Sequence, residues 1–386
     1  MMERTFDAIV IGAGYIGSSI AYHLCAAGLK TALFDQGSIA AGASRANYGN
    51  IQIQDMELAN STELIQMSKT RFASLEAELG WKVGLRRIGG LLLIENEAQW
   101  QLMEARLKIL HEAGILSELV PAGRLKEVEP LIDPTRLLGG LYHAEEGQVD
   151  PFQLIWGYLV RARQTGLQEY YSTEVTGFTV NSGRIEGVIT PTGRFSAGCV
   201  VLCSGAYTRQ LGRLLGREWN IQYILGQAMV SEPVDLVLHN HVSSASFFDA
   251  AQPGEDGSLG AKLAIGQSSH GHLLLGEAMV LADHFQRQVP FNSLPAVAAC
   301  IQRYFPSFSR LRILRGWSSP VAYTGDDCPF LGPVAGCAGL FLATAFHSTV
   351  ISTPLVGELI TDLVTRGACE LNLDPFLPDR NILHAM

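Results

Sequence analysis

The chain opens on an apolar run, Ala8–Ile11, that breaks at Gly12 and resumes with helical periodicity to Leu29; a second apolar run then closes on Asp35. A short apolar run broken by glycine reads as a strand buried on both faces, and the amphipathic stretch behind it as a helix packed on that strand. Leu64, Met67, Phe72, Leu75 and Leu79 repeat at helical spacing and predict a helix over 61–80 that starts at Ser61 and Thr62. Residues 86–94 read as one buried strand, and 97–114 as an amphipathic helix. Residues 146–151 form a loop into a helix over 152–164 that stops at Gly166. Three short β-type runs at 170–180, 184–191 and 200–206, separated by turn residues, predict a small meander returning to a parallel sheet.

Beyond 221 the pattern changes. Residues 221–288 hold β-type runs interspersed with glycine, serine and histidine, and 295–305 regain helical periodicity, so this stretch reads as a second, sheet-based domain. The end of the chain predicts a strand over 339–344, a loop over 345–349 and a helix over 353–365, with Pro354 in its first turn and Gly367 at its stop. There is no internal repeat or low-complexity segment.

Composition narrows the class. With 386 residues, 47% hydrophobic and only 17% charged, the chain can bury a large core as two intertwined domains. A net charge of −9 with scattered Lys and Arg argues against a nucleic-acid surface. The uncharged Ala8–Leu29 stretch is not read as a signal peptide or membrane span, because three glycines interrupt it and its basic flank is thin. No other membrane anchor is visible. Seven cysteines without a CxxC pair disfavour a disulfide framework, a zinc site or an iron–sulfur cluster, and point to reduced thiols in the cytoplasm. Alternation places Cys199 and Cys203 on one strand face as buried residues rather than redox partners. His270 and His272 alternate like two metal ligands, but no third ligand is spaced with them, so no metal is expected.

The chemistry lies at strand ends. Gly12, Gly14 and Gly17 follow the first strand in a GxGxxG pattern: a tight turn, close backbone approach to a pyrophosphate, and contact of helix with strand. Asp35, at the end of the next strand, can take a ribose hydroxyl. Residues 204–206 close another buried strand, and the loop 344–350 precedes the last helix. Ligand contacts from both the first and the last of these segments suit a cofactor longer than a nicotinamide dinucleotide, namely FAD.

Taken in order, GAGxxG, residues 42–49, 147–151, 200–206 and 317–333 resemble the D-amino-acid-oxidase-like superfamily of FAD-dependent amine oxidoreductases, over essentially the whole chain. In look the chain is most similar to the β subunits of heteromeric opine, proline and hydroxyproline dehydrogenases. The resemblance implies an α/β fold: a Rossmann-like FAD-binding domain of the glutathione-reductase type 2 kind, from 1–80, 145–220 and 325–386. An inserted antiparallel-sheet substrate domain would come from 81–144 and 221–324. It implies FAD contacts from Gly12, Gly14, Ile16, Gly17, Asp35, Gln36, Ser44, Asn47, Gly49, Asn50, Val175, Ser204 and Gly205, and from His347, Ser348, Thr349 and Val350 at the pyrimidine edge. The last helix would then direct its positive N-terminus at the flavin.

Three departures shape the expectation. Ser319 stands where sarcosine-oxidase relatives place the cysteine that anchors FAD, so the cofactor is expected to be non-covalent. Val321 stands where glycine-oxidase relatives place a carboxylate-binding arginine. The flavin loop 345–350 is bulkier than usual. Candidates for the substrate carboxylate are Arg45, Arg86 and Arg87, since guanidinium groups bind carboxylates in bidentate fashion. Tyr323 is a further substrate candidate, and His347 a catalytic one.

The function expected is hydride transfer from the carbon beside a secondary amine to flavin N5, followed by imine hydrolysis, in an opine-, proline- or hydroxyproline-like dehydrogenase whose partner subunits carry the electron relay. Two alternatives stay open: a stand-alone glycine- or sarcosine-type oxidase releasing hydrogen peroxide, and an FAD-binding assembly subunit without turnover.

Overall fold

Ala8 and Val10 face one apolar core and Ile9 and Ile11 another, so the opening strand, Arg4–Ile11, is buried on both sides, as its unbroken apolar run requires. The computed structural model describes residues 4–54, 56–249, 258–282 and 293–380. Within it the opening strand pairs in parallel with Thr31–Phe34 on one side and Gly193–Leu202 on the other. Gln168–Tyr170 continues the sheet in parallel beyond Thr31–Phe34. The meander Gly177–Asn181, Arg184–Thr190 and Gly193–Leu202 is antiparallel and feeds into this sheet, but its first strand starts at Gly177 rather than 170 and its third runs from Gly193 to Leu202 rather than over 200–206. Leu340–Thr344 lies parallel to Gly193–Leu202. Helices Tyr15–Ala26, Pro151–Gln164 and Thr349–Arg366 pack on one face, where Gly357 brings the last helix against Ser19 and His23 of the first.

A second sheet runs in the order Ile313–Tyr323, Gln222–Pro233, His272–Ala282, Ser258–Gln267, His241–Ser244, Gly90–Ile94, Gly139–His143, Glu118–Pro121. One of its faces is covered by the helix Leu294–Tyr304, through Val297, Ile301 and Tyr304. A small three-stranded sheet, Asn50–Ile51, Gly147–Gln148 and Arg86–Arg87, stands beside the two larger sheets.

Local differences from the sequence reading have physical causes. The 61–80 helix is two, Thr62–Phe72 and Leu75–Leu79, ended by Gly80 in a left-handed conformation. The 86–94 strand divides into Arg86–Arg87 and Gly90–Ile94, because Gly89 at φ +74° turns the chain from one sheet into another. The expected 146–151 loop contains the short strand Gly147–Gln148, then Asp150 caps the helix by accepting from the Phe152 and Gln153 amides. The last helix begins at Thr349 rather than 353, which puts Pro354 inside it rather than in its first turn. Hydroxyls of Ser352 and Thr353 donate to the carbonyls of Ser348 and Thr349 along this stretch.

One buried carboxylate ties the segments together. Glu146 accepts from the Ile53 and Gln54 amides at 2.6 and 2.8 Å and faces His241 Nε2 at 2.8 Å, while its own carbonyl takes the Ile88 and Gly89 amides. Burial pushes this carboxyl up, yet His241 and the two amides together hold it below the usual range.

Candidate functional site

The first strand runs directly into Gly12, at φ +117°, where a Cβ would come within 2.5 Å of the Cys203 carbonyl oxygen. A Cβ on Gly17 would collide with the Gly12 carbonyl, so this glycine lets helix and strand touch. Gly14 is different. Its φ of −90° suits any residue, and only the Ser44 hydroxyl, 2.7 Å from a Cβ there, stands nearby. Asp35 accepts from the Ala13 amide at 2.8 Å and the Gly37 amide at 2.7 Å, and burial raises its carboxyl against the lowering effect of these bonds. Each carboxylate oxygen has a second lone pair for a ribose hydroxyl.

These groups line a cavity of about 670 Å³. It extends from Asp35, Gln36 and Val175, past Gly12, Gly14, Ile16, Ser204 and Gly205, to Ser44 and Arg45, the edge strand Ser318–Ala322, and Phe346 and Thr349 at the start of the last helix. A long cavity with helix N-termini and a paired carboxylate along it fits a dinucleotide cofactor. The Ser318 hydroxyl, on the cavity wall, is buried without a partner, a polar atom that a bound ring system can satisfy.

Asn47, Gly49, Asn50, His347, Ser348, Val350, Arg86, Arg87 and Tyr323 are not among the residues that line this cavity. Asn47 is exposed and accepts from the Gly49 amide at 2.7 Å. Gly49, at φ +79°, lies against the Val149 carbonyl, and Asn50 accepts from Gln148 at 3.3 Å. Ser348 precedes the last helix and Val350 enters the core. His347 is exposed, its ring edge-on to Tyr323 at 5.7 Å. Arg86 donates to Gln148 and, at 2.6 Å, to the Gln267 carbonyl, whereas Arg45 is exposed at the cavity. Arg87 is exposed as well.

Cys199 and Cys203 are buried in one core cluster, with burial pushing the Cys199 thiol up to about 12 and the Cys203 thiol higher still. His270 lies in a turn and only His272 in a strand, where Nδ1 meets the Ser231 carbonyl at 2.9 Å. Among the described residues no cluster of His, Cys, Asp or Glu could hold a metal, and no helix is long and apolar enough to cross a membrane.

The paired sheets, with a dinucleotide cavity opening onto the edge of the second, define a flavin-type oxidoreductase. Residues 7–363 match the model of the FAD dependent oxidoreductase family, DAO, and the chain belongs to that family. It is 26% identical to glycine oxidase of Geobacillus kaustophilus over 99% of this chain and 98% of that protein. It is 24% identical to sarcosine oxidase subunit beta of Rhodobacter capsulatus, over 97% and 89%. The crystal structure of the Geobacillus glycine oxidase superimposes with a TM-score of 0.87 over 98% of this chain and 100% of that one. L-Proline dehydrogenase from P. horikoshii shares the fold, with a TM-score of 0.86 at 22% identity over 98% of each chain. The protein is thus an FAD-dependent oxidoreductase of amines and amino acids.

Four residues outside the sequence reading stand out: Glu146, Tyr48, Lys262 and Glu277. The last two carried a signal, each a lone charge within an otherwise apolar β-type run. Tyr48 and Glu146 had none.

Proposed function

We propose that the protein oxidises a secondary amino acid of the proline, hydroxyproline or opine kind, as the catalytic β subunit of a heteromeric dehydrogenase. FAD supplies the hydride acceptor; the chain supplies orientation and electrostatics. Gly12, Gly14 and Ser44 lie where the pyrophosphate would run, Asp35 where the ribose would, and the N-terminus of Thr349–Arg366 stabilises negative charge at the flavin's pyrimidine edge. His347 and Tyr323 form a ring pair at the same end of the fold.

The observation that carries this reading is the neutral wall Ser318–Ala322 at the flavin end of the cavity. It presents Val321 where the glycine-oxidase pattern has arginine, and Ser319 where the sarcosine-oxidase pattern has cysteine. The likeness to a sarcosine oxidase subunit beta supports a multi-subunit setting. We assign the FAD-binding domain to 1–80, 145–220 and 325–386, and the substrate domain to 81–144 and 221–324, an assignment supported by the strands of the two large sheets, while Arg86–Arg87 pairs with Gly147–Gln148 across the boundary. The described cysteines are all free thiols, which suits the cytoplasm.

With Ser319 in place of a linking cysteine, acid precipitation is expected to release FAD into the supernatant; colour retained on the pellet would show a covalent link. The dehydrogenase reading is tested by following dye reduction and peroxide release with the same imino-acid or opine substrate. Dye reduction well ahead of peroxide is expected. Equal rates from the isolated chain would make it an oxidase.

A further inference from the structure

On the face of the second sheet turned away from the Leu294–Tyr304 helix, Leu92, Ile94 and Leu141 fill one end, whereas Ala264, Gly266 and Gly276 keep the neighbouring strands small. Leu263, Ile265, Leu273 and Leu275 point into the core with that helix, so alternation turns Lys262, Ala264 and Gly266 to the other side. There a Cβ on Gly266 would meet Gln148 and Asn50 at 3.4 and 3.6 Å, and the Tyr48 hydroxyl fills the space that a side chain on Gly276 would take. Ladder pairing passes over Glu277: Ala228 faces Gly276 and Gln227 faces Ala278. This bulge re-aims the Glu277 side chain toward Lys262 and Tyr48, with both of which it interacts electrostatically.

The cluster adjoins the flavin cavity. Tyr48 follows closely on Arg45, and its ring lies edge-on to Trp317, the neighbour of Ser318; both Arg45 and Ser318 line that cavity. Lys262 Nζ stands over the Phe247 ring, 5.4 Å from its centroid, no ion pair among the described residues joins it to Glu277, and the Tyr48 hydroxyl is buried without a partner. Burial raises Glu277 to about 7 against the lowering effect of Lys262, and lowers Lys262 against the raising effects of Asp249 and Glu277. An ammonium and a carboxyl group held apart without an ion pair, beside an unused hydroxyl, form a receptor for a zwitterion.

We propose that Lys262 holds the substrate's carboxylate and Glu277 its ammonium, with Tyr48 completing the receptor. The inference rests on the amino-acid reading above and gives it the carboxylate clamp that Val321 lacks; Arg86 is already engaged and Arg45 is exposed. On binding, one ammonium N–H bond breaks, its electron pair stays on nitrogen and the proton moves to a Glu277 oxygen. This leaves the neutral amine that hydride loss from the adjacent carbon requires.

The test uses FAD-loaded protein and two unreactive probes read by flavin absorbance: pyrrole-2-carboxylate, an anion without a basic nitrogen, and N,N-dimethylpyrrolidinium, a cation without an N–H. Lys262→Met should weaken the anion about ten- to hundredfold, the range for one charged hydrogen bond, and not weaken the cation at alkaline pH, where Glu277 is ionised in either protein. Glu277→Gln should do the reverse and abolish the rise of cation affinity with pH around 7. Unchanged affinities in both variants, or anion loss in Arg45→Ala instead, would overturn the assignment. If the wild type oxidises a secondary amino acid yet neither probe responds to either substitution, the receptor fails while the activity stands. If no such substrate is oxidised, the underlying reading fails.

Discussion

Gly14→Val is expected to give folded protein without flavin. The backbone at Gly14 is in an extended conformation open to valine, and the only neighbour is the tip of the Ser44 side chain, which can rotate away. The valine methyl groups then occupy the space where backbone approaches the pyrophosphate. The protein should elute as the wild type does, with native circular dichroism and no bound FAD. Its unfolding free energy should fall only by the ligand contribution, about 3–4 kcal/mol at a hundred- to thousandfold excess of FAD over Kd, with a correspondingly lower melting temperature. Gly17→Val is the control with the opposite mechanism. Its side chain strikes the Gly12 carbonyl, a backbone group that cannot move aside, so it should fail to fold. Stoichiometric FAD in folded Gly14→Val would place the pyrophosphate elsewhere.

Glu146→Ala should be strongly destabilising although it lies outside the cofactor cavity. It strands two buried amides, Ile53 and Gln54, and leaves His241 without its partner. Removing one member of a buried charged network typically costs about 3–5 kcal/mol, a large share of a usual folding free energy of about 5–15 kcal/mol. Because the native carboxyl lies below its unfolded value, its stabilisation is present above the unfolded pKa and lost as pH falls through the folded one. Denaturant titration of wild type and variant at neutral pH measures the difference, which should shrink in acid. A difference under about 1 kcal/mol would mean that the network contributes little to stability.

The parts of this molecule legible in the sequence are those governed by local rules. Gly12, Gly14, Gly17 and Asp35 declare a nucleotide turn because strand, glycine spacing and acidic terminus lie within one βαβ unit. The meander and the 295–305 helix follow from periodicity alone. What was not legible depends on long-range pairing. Nothing near Gly89 shows that the chain changes sheets there, since the partner strands Gly147–Gln148 and Gly139–His143 come much later. The early start of the last helix is hidden by Pro354, a residue that local rules place in a first turn but that this buried helix carries inside. Glu277 is visible as an odd carboxylate in an apolar strand, yet its meeting with Lys262 and Tyr48 needs the bulge and the fold.

Anaerobic titration reads directly whether this chain transfers hydride from a secondary amino acid to its flavin. Purified FAD-loaded protein receives proline, hydroxyproline, sarcosine and a set of opines in turn, with the oxidised flavin absorbance followed at each addition. Full bleaching by at least one cyclic or N-substituted amino acid is expected, and none by its N-acylated counterpart, which has no basic nitrogen. A flavin that stays oxidised with every secondary amine, while dithionite still reduces it, would contradict the account and leave a cofactor-bearing subunit without turnover.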